Sequence, residues 1–228
     1  VIDQRMAEAE GRLAQLDEQL SDPAVHSDHD RLRTLGQERS ALEPVVRAAA
    51  ELFRQRGYAA TGINDILGLA AAPKGSFYHY FPGGKEALGA EAVRYAGDRV
   101  TDTLQTLQRD HRTPAAALRA YGALLAGWLK DSDYRDGCPL ATTVLEVTPQ
   151  SEPITAAARE AYAAWRRTLA TLIDSDNANG ARAQRLASLA ISAPEGALIQ
   201  ARVARDPAPI HDACEEIAAL IDALQDTV

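Results

Sequence analysis

Lys74, Ser76, Tyr78 and His79 fall within the short segment PKGSFYHYFPGGK, residues 73–85. Wound into a helix, they present an ammonium, two hydroxyls and an imidazole along one side. Such groups donate to phosphate oxygens and base edges, and the DNA major groove admits one α-helix. Phe77, Tyr80 and Phe81 can anchor the other side in a core. Other chemistries find little support. No glycine loop follows a strand, and no nucleophile and base stand at a recognisable spacing. His26 and His29 lie i,i+3 in a polar turn, a weak metal signal. Cys138, in Gly137-Cys138-Pro139-Leu140, reads as structural rather than redox-sensing. With Cys214 as its only companion, it forms neither a disulfide framework nor a zinc site. No enzyme, cofactor or metal is expected.

The segment needs a scaffold, and the composition is that of helices. Of 228 residues, 46% are hydrophobic, alanine is abundant, and aromatic residues make up 5%. No run of about 18 apolar residues reads as a membrane span, and Asp3, Arg5 and Glu8 stand where a signal peptide would need an apolar stretch. A reducing cytoplasm fits the cysteine usage. The net charge of −8 looks unfavourable for binding DNA until it is divided. Residues 1–43 carry −5, residues 44–85 carry +3 and residues 86–228 carry −6. The basic segment is the one holding the candidate DNA-facing residues. Phosphate attraction is local at physiological salt, so a small basic patch on an acidic body can serve, with two copies reinforcing each other.

Hydrophobic spacing sets out the elements. Met6, Ala9, Leu13, Leu16 and Leu20 step by three and four, as a coiled-coil seam does. Ser21-Asp22-Pro23 stops that helix. A second seam runs through Leu32, Leu35, Leu42, Val46, Ala49 and Phe53, with Arg39 at an expected apolar position. The pair predicts an antiparallel helical hairpin whose second arm continues past Pro44 as one long helix, stopped by Gly57. Thr61 caps a helix over about 62–69, Ala70-Ala71-Ala72 make a turn, and Pro73 opens a helix over about 73–79. Lys85 starts a long helix to about Gln108. Further helices are expected to end near Lys130, over about 139–147 and 153–174, and over about 181–204 and 208–225. Asp131–Pro139 and Ser175–Gly180 read as polar loops. No strand period persists, so the fold class is all-α. The division expected is 1–43 hairpin, 44–84 helix-turn-helix, and 85–228 effector-binding and dimerisation bundle.

GYAATGINDILGLAAAPKGSFYHYFPGGKE, residues 57–86, closely resembles the DNA-binding domain of the TetR family of bacterial transcriptional regulators. The form PKGSFYHYFPGGKEAL is similar to the LmrA/YxaF-type branch. The resemblance implies DNA contacts from Thr61, Lys74, Gly75, Ser76, Tyr78, His79 and Lys85. The chemistry is apt: Gly75 lets backbone approach the duplex, and Lys85 places a charge beside a helix N-terminus. The family commonly has glycine where Ala71 stands, so a tighter or re-angled turn is expected. The resemblance further implies an effector cavity, for which the aromatic residues Tyr121, Trp128, Tyr162 and Trp165, with Leu124, are the candidates. It implies a homodimer through the last two helices, with Leu186, Leu189, Leu198, Ile217, Leu220, Ile221 and Leu224 at helical spacing. Pro194 is expected to kink its helix. The implied function is a repressor released from double-stranded operator DNA by a small apolar or aromatic effector.

The first arm has another affinity. LSDPAVHSDHDRLRTLGQERSALEPVV resembles the N-terminal hairpin of bacterial class I peptide chain release factors, over about residues 5–46. The Gly-Gly-Gln tripeptide of those factors is absent, and Gly83-Gly84-Lys85 does not replace it. Two alternatives follow: an interaction or ribosome-associated protein acting through the hairpin, or an engineered chimera joined near Val45-Val46-Arg47. A natural fusion and a mis-called start also fit the chain's first residue, Val1. An acidic hairpin beside the helix-turn-helix is expected to repel DNA phosphates.

Overall fold

A computed structural model describes residues 11–174 and 180–225, apart from the side chains of Ala14 and Ser76. Met6 and Ala9 of the first seam and most of the Ser175–Gly180 loop lie outside the described residues. Eleven helices are described: α1 Arg12–Ser21, α2 Pro23–His26, α3 His29–Arg56, α4 Ile63–Leu69, α5 Lys74–Tyr80, α6 Gly84–Asp110, α7 Pro114–Asp131, α8 Pro139–Val147, α9 Glu152–Ile173, α10 Gly180–Ala204 and α11 Ala208–Gln225. Among the described residues there is no strand, and no helix is long and apolar enough to cross a membrane. The fold is all-α, with a helix-turn-helix near its beginning and a helical region after it.

Local chemistry explains the boundaries. Asp22 accepts from Ala24 N at 2.9 Å with Pro23 in the first turn of α2, and Asp28 accepts from Arg31 N at 3.0 Å to open α3. α3 runs 28 residues through Pro44 and ends where Gly57 takes φ 83 and its N–H reaches Phe53 O. Thr113 caps α7 by accepting from Ala116 N at 3.1 Å. α10 is continuous across Pro194, which is buried.

Two compact units are found. The first comprises the described residues up to Ala96 together with Thr142–Arg159, and the second comprises Gly97–Ala141 with the described residues from Glu160 onward. The hairpin does not stand apart as a unit of its own. Leu13, Leu16, Val25, Leu35 and Leu42 join one buried cluster with Val46, Phe53, Ile66, Phe77, Phe81 and Leu88. Arg39, at the polar break in the seam, pairs with Asp17 across the hairpin and with Glu43 along its own helix. Arg12 grips Glu38 through two hydrogen bonds of 2.7 and 2.8 Å. The two arms pack side by side, joined by the short α2, and their apolar seam faces the helix-turn-helix core.

In the second unit, Leu104, Leu118, Leu169, Leu186, Ile217 and Ile221 build the main cluster, and Leu129, Leu198, Ile210 and Cys214 build another. Close approach of α7 to α11 needs Gly122: an added Cβ would lie 2.8 Å from the Cys214 side chain.

Candidate nucleic-acid interface

α5 is built as a two-faced helix. Phe77 and Phe81 are 2% and 1% exposed, stacked 5.4 Å apart, and Tyr80 packs against the same cluster. Lys74, Gly75, Tyr78 and His79 are exposed, and an added Cβ at Gly75 would meet nothing within 4 Å. Tyr78 stands edge-on to Phe77 at 5.0 Å, which braces its ring while 52% of the residue stays in solvent. Ser76 is on the same helix, with its side chain outside the described residues. The helix offers solvent a cation, a phenol, an imidazole and a bare backbone stretch. That arrangement suits a groove reader.

The turn before α5 departs from expectation in an instructive way. Ala71 keeps a left-handed backbone, φ 51, despite its Cβ. Its N–H donates to Gly68 O at 3.3 Å, and Ala72 N–H donates to Leu67 O at 3.0 Å. These two bonds are the Schellman pattern that satisfies the last carbonyls of a helix. The chain accepts torsional strain at this residue.

Two expected DNA contacts have partners within the fold. Thr61 is fully buried, and its hydroxyl donates to Gly57 O at 2.7 Å, so it cannot reach a phosphate. It does not cap α4 either; Gly62 is the N-cap, and its N–H donates to Asp65 at 3.2 Å. Lys85 is half-buried, donates to Tyr58 O at 2.6 Å and lies 4.3 Å from the Tyr58 ring centroid. Desolvation lowers its pKa, opposed by the nearby Glu146 carboxylate. Lys85 thus ties the start of α6 to the α3–α4 connection. Glu146, on α8, reinforces that connection by accepting from Ala59 N at 2.5 Å. No local sequence signal marked Glu146, because its partner is 87 residues away.

The residues expected to line an effector cavity do not form one set. Leu124 and Trp128 are exposed, a turn apart on α7 and off the buried stripe of Leu118, Gly122, Ala126 and Leu129. Trp165 is core, its indole N–H donating to Gly97 O at 2.8 Å, with the Tyr162 ring edge-on at 5.3 Å. Tyr121 and Tyr162 are partly buried and keep company the sequence did not announce: Cys138 and Glu195. The Cys138 thiol hydrogen-bonds Glu195, and the N–H groups of Leu140 and Ala141 meet its sulfur. Burial first, then the Glu195 charge, push the thiol pKa up, against those N–H groups. Burial likewise raises the Glu195 pKa, against the Cys138 bond. Both phenol pKa values rise through desolvation. A separate open groove of about 460 Å³ is lined by Arg166, Arg167 and Arg185 with Ala163, Gln184 and Ser188, none of them expected effector residues.

The expected dimer residues also divide. Leu186, Leu198, Ile217 and Ile221 are buried within the second unit's own core, and Leu224 packs partly against it. Leu189 and Leu220 are exposed, as are Ile199 and Val203. Helical spacing marks an apolar stripe but does not say whether that stripe meets its own chain or a copy.

A helix-turn-helix with a two-faced second helix, inside an all-helical chain, defines a DNA-binding regulator. Residues 45–92 match the family model of bacterial regulatory proteins of the tetR family, and residues 114–216 match that of the LmrA/YxaF-like transcriptional regulator C-terminal domain. An uncharacterized HTH-type transcriptional regulator of Mycobacterium tuberculosis is 37% identical over 173 residues, covering 74% of this chain and 87% of the relative. The HTH-type transcriptional regulator LmrA of Bacillus subtilis is 29% identical, covering 74% and 89%. A crystal structure of a TetR transcriptional regulator from Chloroflexus aurantiacus is 30% identical, covers 82% of this chain and 96% of its own, and superposes with a TM-score of 0.67. The chain belongs to the TetR family of transcriptional regulators. Members of this family bind operator DNA and form homodimers. The hairpin precedes the matched residues.

Proposed function

We propose that the protein is a cytoplasmic, homodimeric repressor that leaves its operator when a small apolar or aromatic effector enters its second unit. The two-faced α5 carries the DNA-binding part of this reading: Phe77 and Phe81 hold the helix, while Lys74, Gly75, Tyr78 and His79 face outward with Ser76 on the same helix. Lys74 takes a phosphate, and Tyr78 and His79 take phosphate or base-edge acceptors. Lys85 braces the α3–α4 connection, and its remaining N–H groups take a DNA phosphate. Two such helices in a dimer read half-sites about one helical turn apart, roughly 34–36 Å. Leu189, Ile199, Val203 and Leu220 supply the apolar surface for the second copy.

The effector reading rests on Tyr121, Tyr162, Cys138 and Glu195, four partly buried polar side chains of the second unit. Buried polar groups cost free energy unless they are paired, and ligand sites are mostly apolar with a few such groups to orient the ligand. A tenfold loss of operator affinity on effector binding requires about 1.4 kcal/mol of differential affinity between two conformations. Similarity of the hairpin to release factors is a proposal about its ancestry. Among the described residues of the hairpin, no large apolar side chain is exposed. Selection of duplexes from a random pool, followed by fluorescence anisotropy with and without effector candidates, tests the reading. Failure to enrich any sequence would overturn it.

A further inference from the structure

Among the described residues, Glu91 is the only acidic or basic side chain that is fully buried, at 2% exposure. It sits on α6 beside Arg94, and its two backbone partners lie 80 and 78 residues away in sequence. One oxygen accepts from Gly11 N and from Arg94 at 3.1 Å; the other accepts from Leu13 N at 3.3 Å. Gly11 is the N-cap of α1 and has no side chain with which to cap it. The first N–H groups of a helix have no partner inside the helix, and a negative charge there is favourable. Glu91 therefore caps α1 from another helix. Burial raises its pKa, against the Arg94 charge and the two backbone N–H groups.

α1 is held just as firmly on its other side. Leu13 and Leu16 are buried in the cluster that holds Leu35 and Leu42 of α3, and Arg12 clasps Glu38. One short helix thus joins α3 to α6. The α4–α5 pair packs into that cluster, through Ile66, Leu67, Phe77 and Phe81, with Phe53 of α3 and Leu88 of α6.

We propose that Glu91 is a positioning residue for DNA binding: by capping α1 it makes the hairpin a strut that fixes α6 against α3 and so holds the recognition helix at its reading angle. A carboxylate is a costly choice for packing alone, since a buried charge must be fully compensated and an apolar residue of similar size would serve as well. Three donors from two directions are what a fixed joint requires.

This inference rests on the operator-binding reading. If the unsubstituted chain selects no duplex, that reading fails; if it does, the strut is tested by Glu91→Gln, Leu16→Ala and the double variant in the full chain. Affinity is measured at a temperature where circular dichroism shows each protein folded. Breaking a charge-assisted bond at a joint should lower operator affinity about tenfold, with random-duplex affinity changed by no more than about twofold. Hydrogen exchange at Gly11 and Leu13 should quicken in Glu91→Gln. Both singles weaken the same joint, so the double should be no worse than the worse single. Faster exchange with unchanged operator affinity would overturn the strut, as would losses that multiply. Should Glu91→Gln fail to fold, Glu91→Asp keeps the charge but shortens the reach, and the same two outcomes apply.

Discussion

Replacing Ala71 by glycine should stabilise the protein without touching a single packing contact. The residue is exposed, so no buried surface changes, and its backbone N–H bond to Gly68 survives the substitution. What changes is torsional. An L-residue in the left-handed region costs roughly 1–2 kcal/mol, because its Cβ crowds the carbonyl oxygen, and glycine escapes that cost. Against this, glycine loosens the unfolded chain by roughly 0.4–1 kcal/mol. The net gain is about 1 kcal/mol, or about 2–4 °C in melting temperature for a chain of this size. Differential scanning calorimetry at fixed protein concentration measures it, since the midpoint of a dimer shifts with concentration. Ala71→Val, which adds a β-branch at the same φ, should move the midpoint the other way. Operator affinity should be unaffected by the glycine, because the Schellman bonds already hold the turn angle. An unchanged or lowered midpoint in Ala71→Gly would refute the claim that the turn stores strain at this residue.

The other expectations follow from the same geometry. Tyr78→Ala should weaken operator binding by about 1–3 kcal/mol with little loss of stability, since the ring is half in solvent; anisotropy and thermal melts on one preparation check both halves. Lys74→Ala should reduce the salt slope of DNA binding by about 1, whereas Lys85→Ala should reduce it by less and lower the melting temperature, because Tyr58 already engages that ammonium. Equal slopes would return Lys85 to a plain phosphate contact. Leu189→Glu with Leu220→Glu should shift the protein to monomer by light scattering, whereas Leu186→Ala should cost about 2–5 kcal/mol of stability instead. Cys138 should react slowly with a thiol reagent at pH 7–8, because its raised pKa leaves little thiolate there, and faster as pH climbs above the ordinary thiol range. Glu195→Gln removes a charge that pushes the thiol pKa up, so it should quicken that reaction at constant pH; no change would place the carboxylate too far away to matter.

Some of this was legible in the residues alone because it depends on neighbours in sequence. The end of α1 at Ser21 before Asp22-Pro23, the stop at Gly57, and the burial of Phe77 and Phe81 opposite Tyr78 follow from helix breakers and from three-to-four spacing. The seam through Leu35, Leu42 and Phe53 likewise forecast one long α3, since apolar periodicity continued across Pro44. Spacing could not say what each apolar stripe meets. Leu186 and Leu189 lie on one helix, yet one faces its own core and the other faces solvent. The same limit hid the partners of Thr61 and Lys85, whose side chains each donate to a backbone carbonyl within the fold. Ala71 shows the opposite case: two backbone bonds at the end of α4 overrule an intrinsic preference of the residue. Pairs far apart in the chain were beyond reach altogether. Glu91 with Gly11, Glu146 with Ala59, and Glu195 with Cys138 depend on where whole helices come to rest. A buried carboxylate finds its donors only when packing brings them, and packing is a property of the assembled core rather than of any window of sequence.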